Sequence, residues 1–126
     1  MAIRQDINKA DGFFIDEDKT LAFEILGADG ATPVDMTGWT LAWTVRRYVT
    51  DADPAIAKAS GGSGVTITGT YNVDRATNTQ RVIVAIADTD TAALAAGIYK
   101  HALKRTDEGS ETILSFGDLV LQKAAA

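Results

Sequence analysis

The sequence predicts an all-β protein, an antiparallel β-sandwich of seven or eight short strands with one helical turn near 90–96. Three observations lead to it. Apolar residues recur mainly with period two, as in strands half-buried against a core. Turn-forming clusters rich in Gly, Asp, Asn and Ser break these runs about every 8–12 residues. Finally, a chain of 126 residues, 46% hydrophobic and 23% charged, suits one domain with its own core.

The elements follow in chain order. Residues 1–12, MAIRQDINKADG, are polar apart from Ile3 and Ile7. They are expected to form an N-terminal arm ahead of a single domain spanning 13–123, with 124–126 as a tail. Within 20–26, Leu21, Phe23 and Ile25 alternate with Thr20, Ala22 and Glu24, the pattern of a half-buried strand. Two turn segments follow, at 28–33 and 36–38. In the next strand Trp39, Leu41, Trp43 and Val45 share one face, with Thr40, Ala42, Thr44 and Arg46 opposite. The short apolar piece 55–59 lies between DADP and SGGSG and reads as an edge strand, because Pro54 fits only at its start.

Further strands are expected at 65–68 and 81–87, the latter with Val82, Val84 and Ile86 on one face. Residues 71–78 are a polar connection between them. In 88–97, Asp88 or Asp90 caps a helical turn that Gly97 ends. The strand 98–105 aligns Tyr99, His101 and Leu103, and 106–110 is a hairpin turn. The return strand, 111–122, carries a bend at Gly117-Asp118.

Two tryptophans four residues apart on a strand stand about 13 Å apart, a spacing compatible with stacking on a sugar. Their companions decide otherwise. Leu41 lies between them and Val45 follows, so the whole stripe is apolar and belongs to a core. Trp39, at the strand start, is the one expected to keep some exposure. The predicted core is Trp39, Leu41, Trp43 and Val45 with Phe23, Ile25, Val84 and Tyr99.

Chemistry is sparse. There is no cysteine, which removes disulfides, thiol nucleophiles and thiolate metal sites. His101 is the sole histidine, without a GxSxG elbow or HExxH helix to supply partners, and reads as a structural or surface residue. Asp16-Glu17-Asp18 lacks calcium-loop spacing and reads as a solvated turn. Gly61-Gly62-Ser63-Gly64 lacks the lysine of a phosphate loop and precedes a strand instead of a helix. Net charge is −5 and the only basic doublet is Arg46-Arg47, so nucleic acid and anionic membranes are disfavoured partners. No catalytic residue, metal or cofactor is expected. The opening residues are too polar for a signal peptide.

The order of the pieces carries a resemblance. Asp29-Gly30 follows the first strand, and Val34-Asp35-Met36-Thr37-Gly38 leads into a strand ending at Val45-Arg46. After a Gly-rich loop come Val65-Thr66-Ile67, then Leu94, Gly97-Ile98-Tyr99 and a last hairpin around Gly109. This succession, over roughly 15–122, resembles the immunoglobulin-like N-terminal domain of phage baseplate upper proteins and similar tailed-phage structural modules. The resemblance implies an immunoglobulin-like sandwich with Tyr99 tied to backbone at a corner. It implies a non-enzymatic virion component, assembled in the host cytoplasm in several copies. Such a subunit docks on tail, baseplate, neck or capsid through sheet edges and its N-terminal arm. Baseplate upper proteins continue past this module, so the chain as given is expected to be the module alone. Ile3, Ile7, Tyr48 and Tyr71 are the candidate contact residues. The alternative is a carbohydrate- or receptor-binding adhesion module using Tyr48, Tyr71 or Trp39.

Overall fold

The computed structural model describes residues 2–124. Eight strands form: β1 (Ile3–Arg4), β2 (Lys19–Phe23), β3 (Leu41–Arg46), β4 (Ile56–Ala59), β5 (Val65–Thr68), β6 (Arg81–Ile86), β7 (Gly97–Arg105) and β8 (Thr112–Leu121). A single helical turn, α1 (Asp88–Thr91), joins β6 to β7, and a 3-10 turn covers Lys9–Asp11. Alternation decides which side each strand buries. Leu41, Trp43 and Val45 of β3, Val82, Val84 and Ile86 of β6, and Tyr99, His101 and Leu103 of β7 all point into one core.

The strands form two sheets, ordered β1-β8-β7-β3-β4 and β2-β6-β5. All neighbours pair antiparallel except β1, which lies parallel to β8. Lettered in chain order with β4 as C′, the sheets read A-G-F-C-C′ and B-E-D. That is the strand order of an immunoglobulin sandwich with C′ added to the GFC sheet and the first strand moved beside G. Two further features of that fold are present. Trp43 on strand C is fully buried, and the Tyr99 hydroxyl donates to the Ala95 carbonyl at 2.7 Å, forming the expected corner. Antibody domains join strands B and F by a disulfide, whose second cysteine lies two residues after that tyrosine. Here His101 occupies the position, with its ring centroid 6.1 Å from both Phe23 and Trp43. Aromatic packing replaces the covalent bridge.

The turn motifs behind the resemblance have a local cause. The Asp29 carboxylate accepts the Ala31 and Thr32 amides and the Thr32 hydroxyl, which hold its pKa down at about 2. Asp35 similarly accepts the Thr37 hydroxyl and amide. The side-chain Oε1 of buried Gln80 then accepts the Met36 amide at 3.0 Å, fixing this turn to the start of β6.

Four expectations are corrected. Residues 2–12 are not a free arm. Gln5 and Ile7 donate to Phe116 and Asp118 of β8 at 2.7 and 2.8 Å, and Val120 donates back to Ile7 at 2.8 Å. Ile7 is buried and Ile3 half-buried, because this segment fills the edge of the larger sheet. Met1 and the last two residues of the expected tail lie outside the described residues. The helical turn is earlier than 90–96: the Asp90 carboxylate accepts the Ala87 amide at 2.7 Å and starts it at Asp88. It stops by Thr91, since the Leu94 amide closes a turn onto the Thr91 carbonyl.

The bend at Gly117-Asp118 is absent, and β8 runs straight through it. The irregularity falls instead between Leu103 and Lys104, whose partners Ser115 and Ile113 leave Leu114 as an extra, inward residue. Gly117 answers a different need, the close approach of residues 5 and 6. Lastly, the strand starts at Leu41 and not at Trp39: Trp39 precedes it in a turn where its amide bonds the Met36 carbonyl, and it packs half-buried on the margin of the core, with the partial exposure expected of it.

Candidate interaction surface

The interior holds the lone histidine, and both of its ring nitrogens are engaged by neighbours. His101 is 2% exposed. The Trp43 indole N–H donates to Nδ1 at 3.3 Å, which assigns the proton to Nε2, and Nε2–H donates to the Gln5 carbonyl at 2.6 Å. Both nitrogens are satisfied in the neutral ring. Burial pushes its pKa below the usual value, against the opposing pull of the Gln5 carbonyl, Asp6 and Asp118.

The sign of the consequence is fixed. A histidine with a lowered folded pKa leaves the unfolded chain binding more protons, so stability is full above the unfolded value of about 6.5 and declines as pH falls below it. Urea midpoints measured from pH 8 to 5 are expected to fall below about pH 6.5, and His101→Gln is expected to flatten that dependence. An unchanged slope in His101→Gln would refute the assignment.

The acidic positions are occupied by local bonding. Asp18 accepts the Asp88 amide at 2.8 Å, and Asp16, at φ +64°, donates its own amide to the Thr91 hydroxyl. Asp51 accepts the Tyr48 amide at 3.0 Å. Asp90 is drawn upward by burial, but Lys58 at 2.7 Å and the Ala87 amide outweigh this and hold it below the usual carboxylate range. Among the described residues no three His, Asp or Glu side chains converge as a metal site would require.

The aromatic candidates are dispersed. Trp43 is sealed in the core, and the Arg105 guanidinium lies 4.0 Å from the centre of the Trp39 ring, covering it. Tyr71 is half-buried with its hydroxyl donating to the Pro33 carbonyl at 3.3 Å. Only Tyr48, 62% exposed, stands free. The structure therefore brings Ile3 and Ile7 together along β8 and leaves Tyr48 and Tyr71 apart.

A surface that the sequence reading missed lies on the outer face of the five-stranded sheet. Between β3, β7 and β8 runs a groove of about 360 Å³. Thr44 and Ala102 line its floor, with Val49, Phe116, Arg46 and Lys100 around them. Arg46 and Lys100 are direct cross-strand partners, an unfavourable pairing of like charges. Each is relieved elsewhere: Arg46 donates to the Asp51 carbonyl at 3.2 Å, and Lys100 bridges to Asp118. Arg4 completes the rim, 5.9 Å above the Phe116 ring and 3.5 Å from the Asp118 carboxylate. The signal was present in the alternation. Ile98 and Phe116 occupy outward positions of β7 and β8, where a wetted surface calls for polar residues.

No family model and no curated protein matches the chain. Among solved structures, that of the NK cell receptor Nkp44, a triggering partner in natural cytotoxicity, is similar at 12% identity, covering 96% of each chain with a TM-score of 0.36. At that distance the fold assignment stands on strand order and the tyrosine corner, not on the likeness.

Proposed function

We propose that the chain is a non-catalytic assembly subunit, a structural module of a tailed-phage particle, which docks on neighbouring virion proteins through the outer face of its five-stranded sheet. One observation carries the docking reading. Among the described residues six large apolar side chains are exposed; Tyr48, Val49, Ile98, Ile113 and Phe116 lie on that sheet or its β3–β4 turn, with Val49 and Phe116 lining one groove, and Val73 lies elsewhere. Apolar side chains scattered singly need no explanation, but a cluster rimmed by charges marks a protein contact. The phage setting rests on the resemblance in order of strands and turns. The N-terminal segment, laid along β8, no longer serves as the gripping element, so the contact moves to the sheet face.

The test uses Val49→Asp with Phe116→Asp. Both side chains are exposed, so folding should survive, and thermal melts would check it. Affinity for the structural proteins of the same particle, measured by calorimetry, is expected to fall about tenfold or more. Unchanged affinity in the folded variant would overturn the docking face.

A further inference from the structure

We infer that the free edge of β2 receives an extended strand from a neighbouring protein chain, completing the smaller sheet in trans. The inference deepens the assembly reading and rests on it for the nature of the partner. The observation is a hydrogen-bond account of the sheet edges. β2 pairs only with β6, and among the described residues its other edge makes no backbone bond to any segment. In the B-E-D sheet this is the place that strand A occupies in an ordinary immunoglobulin sandwich. Here the first strand has gone to β8 instead, so the place is vacant.

The vacancy has a shape. A groove of about 230 Å³ separates Lys19–Phe23 from Gln5, Asp6, Ile7 and Asp11. Ile7 and Phe23 are almost fully buried beneath it, and Leu21 is half-buried. The opposite seam of the sandwich is closed, because the chain itself crosses there from β4 to β5 and the Ala59 amide bonds the Ser63 carbonyl.

The edges also differ in protection. β4 starts after Pro54 and turns Lys58 inward to Asp90, two devices that discourage a foreign strand. β5 has four residues. β2 has five, outward side chains no larger than Thr20 and Ala22, and one lysine at its end whose ammonium is already held by the Asp11 carbonyl at 3.0 Å. Unpaired amides and carbonyls in a row select an extended backbone as ligand. The chain's net charge of −5 favours basic residues at the ends of such a ligand.

The probe is a capped heptapeptide alternating valine and threonine between terminal lysines. In the free protein, alternate β2 amides should exchange with solvent like unstructured ones, while the set bonded to β6 is protected. Saturating peptide should slow the open set about tenfold or more, as read by NMR hydrogen exchange. Proline at whichever of Thr20 and Leu21 carries the open amide should abolish this protection, since an edge strand accepts proline there. Protection of both sets in the free protein, no binding at millimolar peptide, or protection at β4, β5 or the outer sheet face would each overturn the inference. The Val49→Asp, Phe116→Asp variant should keep the β2 response, so failure of the docking face and failure of the strand site are read separately.

Discussion

Trp43→Ala is expected to cost about 3–5 kcal/mol, the range for deleting a buried aromatic side chain. That is a large share of the about 5–15 kcal/mol that holds an ordinary domain together. Three contributions converge. The indole is wholly buried in the middle of β3, opposite Leu103 of β7, so its removal leaves a cavity that two stiff sheets cannot close. Its ring is one wall of the contact with His101, to which Phe23 adds from the other sheet. Its N–H is the one donor to the His101 Nδ1 among the described residues, so truncation leaves a buried acceptor unpaired. Urea unfolding followed by far-ultraviolet circular dichroism would measure the loss. Trp43→Phe, which keeps most of the volume but not the donor, should cost about 1–3 kcal/mol and separates the two effects. A loss under about 1 kcal/mol in Trp43→Ala would refute the central role given to this side chain.

This arrangement shows what alternation in a sequence reveals and what it hides. Leu41, Trp43 and Val45 declare their face by period two, as do Val82, Val84 and Ile86, and all six are buried. Trp39 obeys the same period and was expected to keep some exposure, but it lies outside the strand, in the turn that Met36 closes, and Arg105 reaches over its ring. Periodicity extends past a strand end without a mark. His101 alternated correctly with Tyr99 and Leu103, so its burial was legible. Its partners were not, since Gln5 is 96 residues away.

The N-terminal segment was misread for a related reason. Two apolar residues, Ile3 and Ile7, are too few to announce a strand by pattern, and β1 gains its place from backbone bonds to β8 and one buried side chain. Lys58 is the converse case: an inward lysine breaks the pattern of β4 and is resolved only by Asp90 on a distant turn. The exposed apolar residues of the outer sheet face were legible in part. Ile98 and Phe116 stand at positions of outward parity, but their joining into one surface depends on β8 pairing with β7 in a register that no local signal gives.

The glycine at 117 makes the same point about long-range causes, and a single methyl group tests it. Its backbone has no left-handed torsion, so conformational freedom is not what the position requires. A Cβ built there would lie 2.6 Å from the Gln5 carbonyl oxygen and 2.6 Å from the Asp6 carboxylate, both in the segment laid along β8. Backbone cannot yield as a side-chain tip does, so Gly117→Ala must lift residues 5 and 6 away from the sheet. The Gln5 and Ile7 amides lose β8, the Asp118 amide loses Asp6, and His101 Nε2 loses its carbonyl. The expected cost is about 2–3 kcal/mol, the upper range for overpacking.

The signature is local as well as global. Amides of residues 5–7 and of Asp118 and Val120 should lose hydrogen-exchange protection, while β2, β5 and β6 keep theirs. Asp6 should also titrate nearer the ordinary carboxylate value, because the Asp118 amide is the largest influence holding it down in the native fold. Wild-type protection of residues 5–7 in a folded Gly117→Ala protein would mean that the first strand does not depend on this close approach. The strand would then owe its place beside β8 to the burial of Ile7 alone.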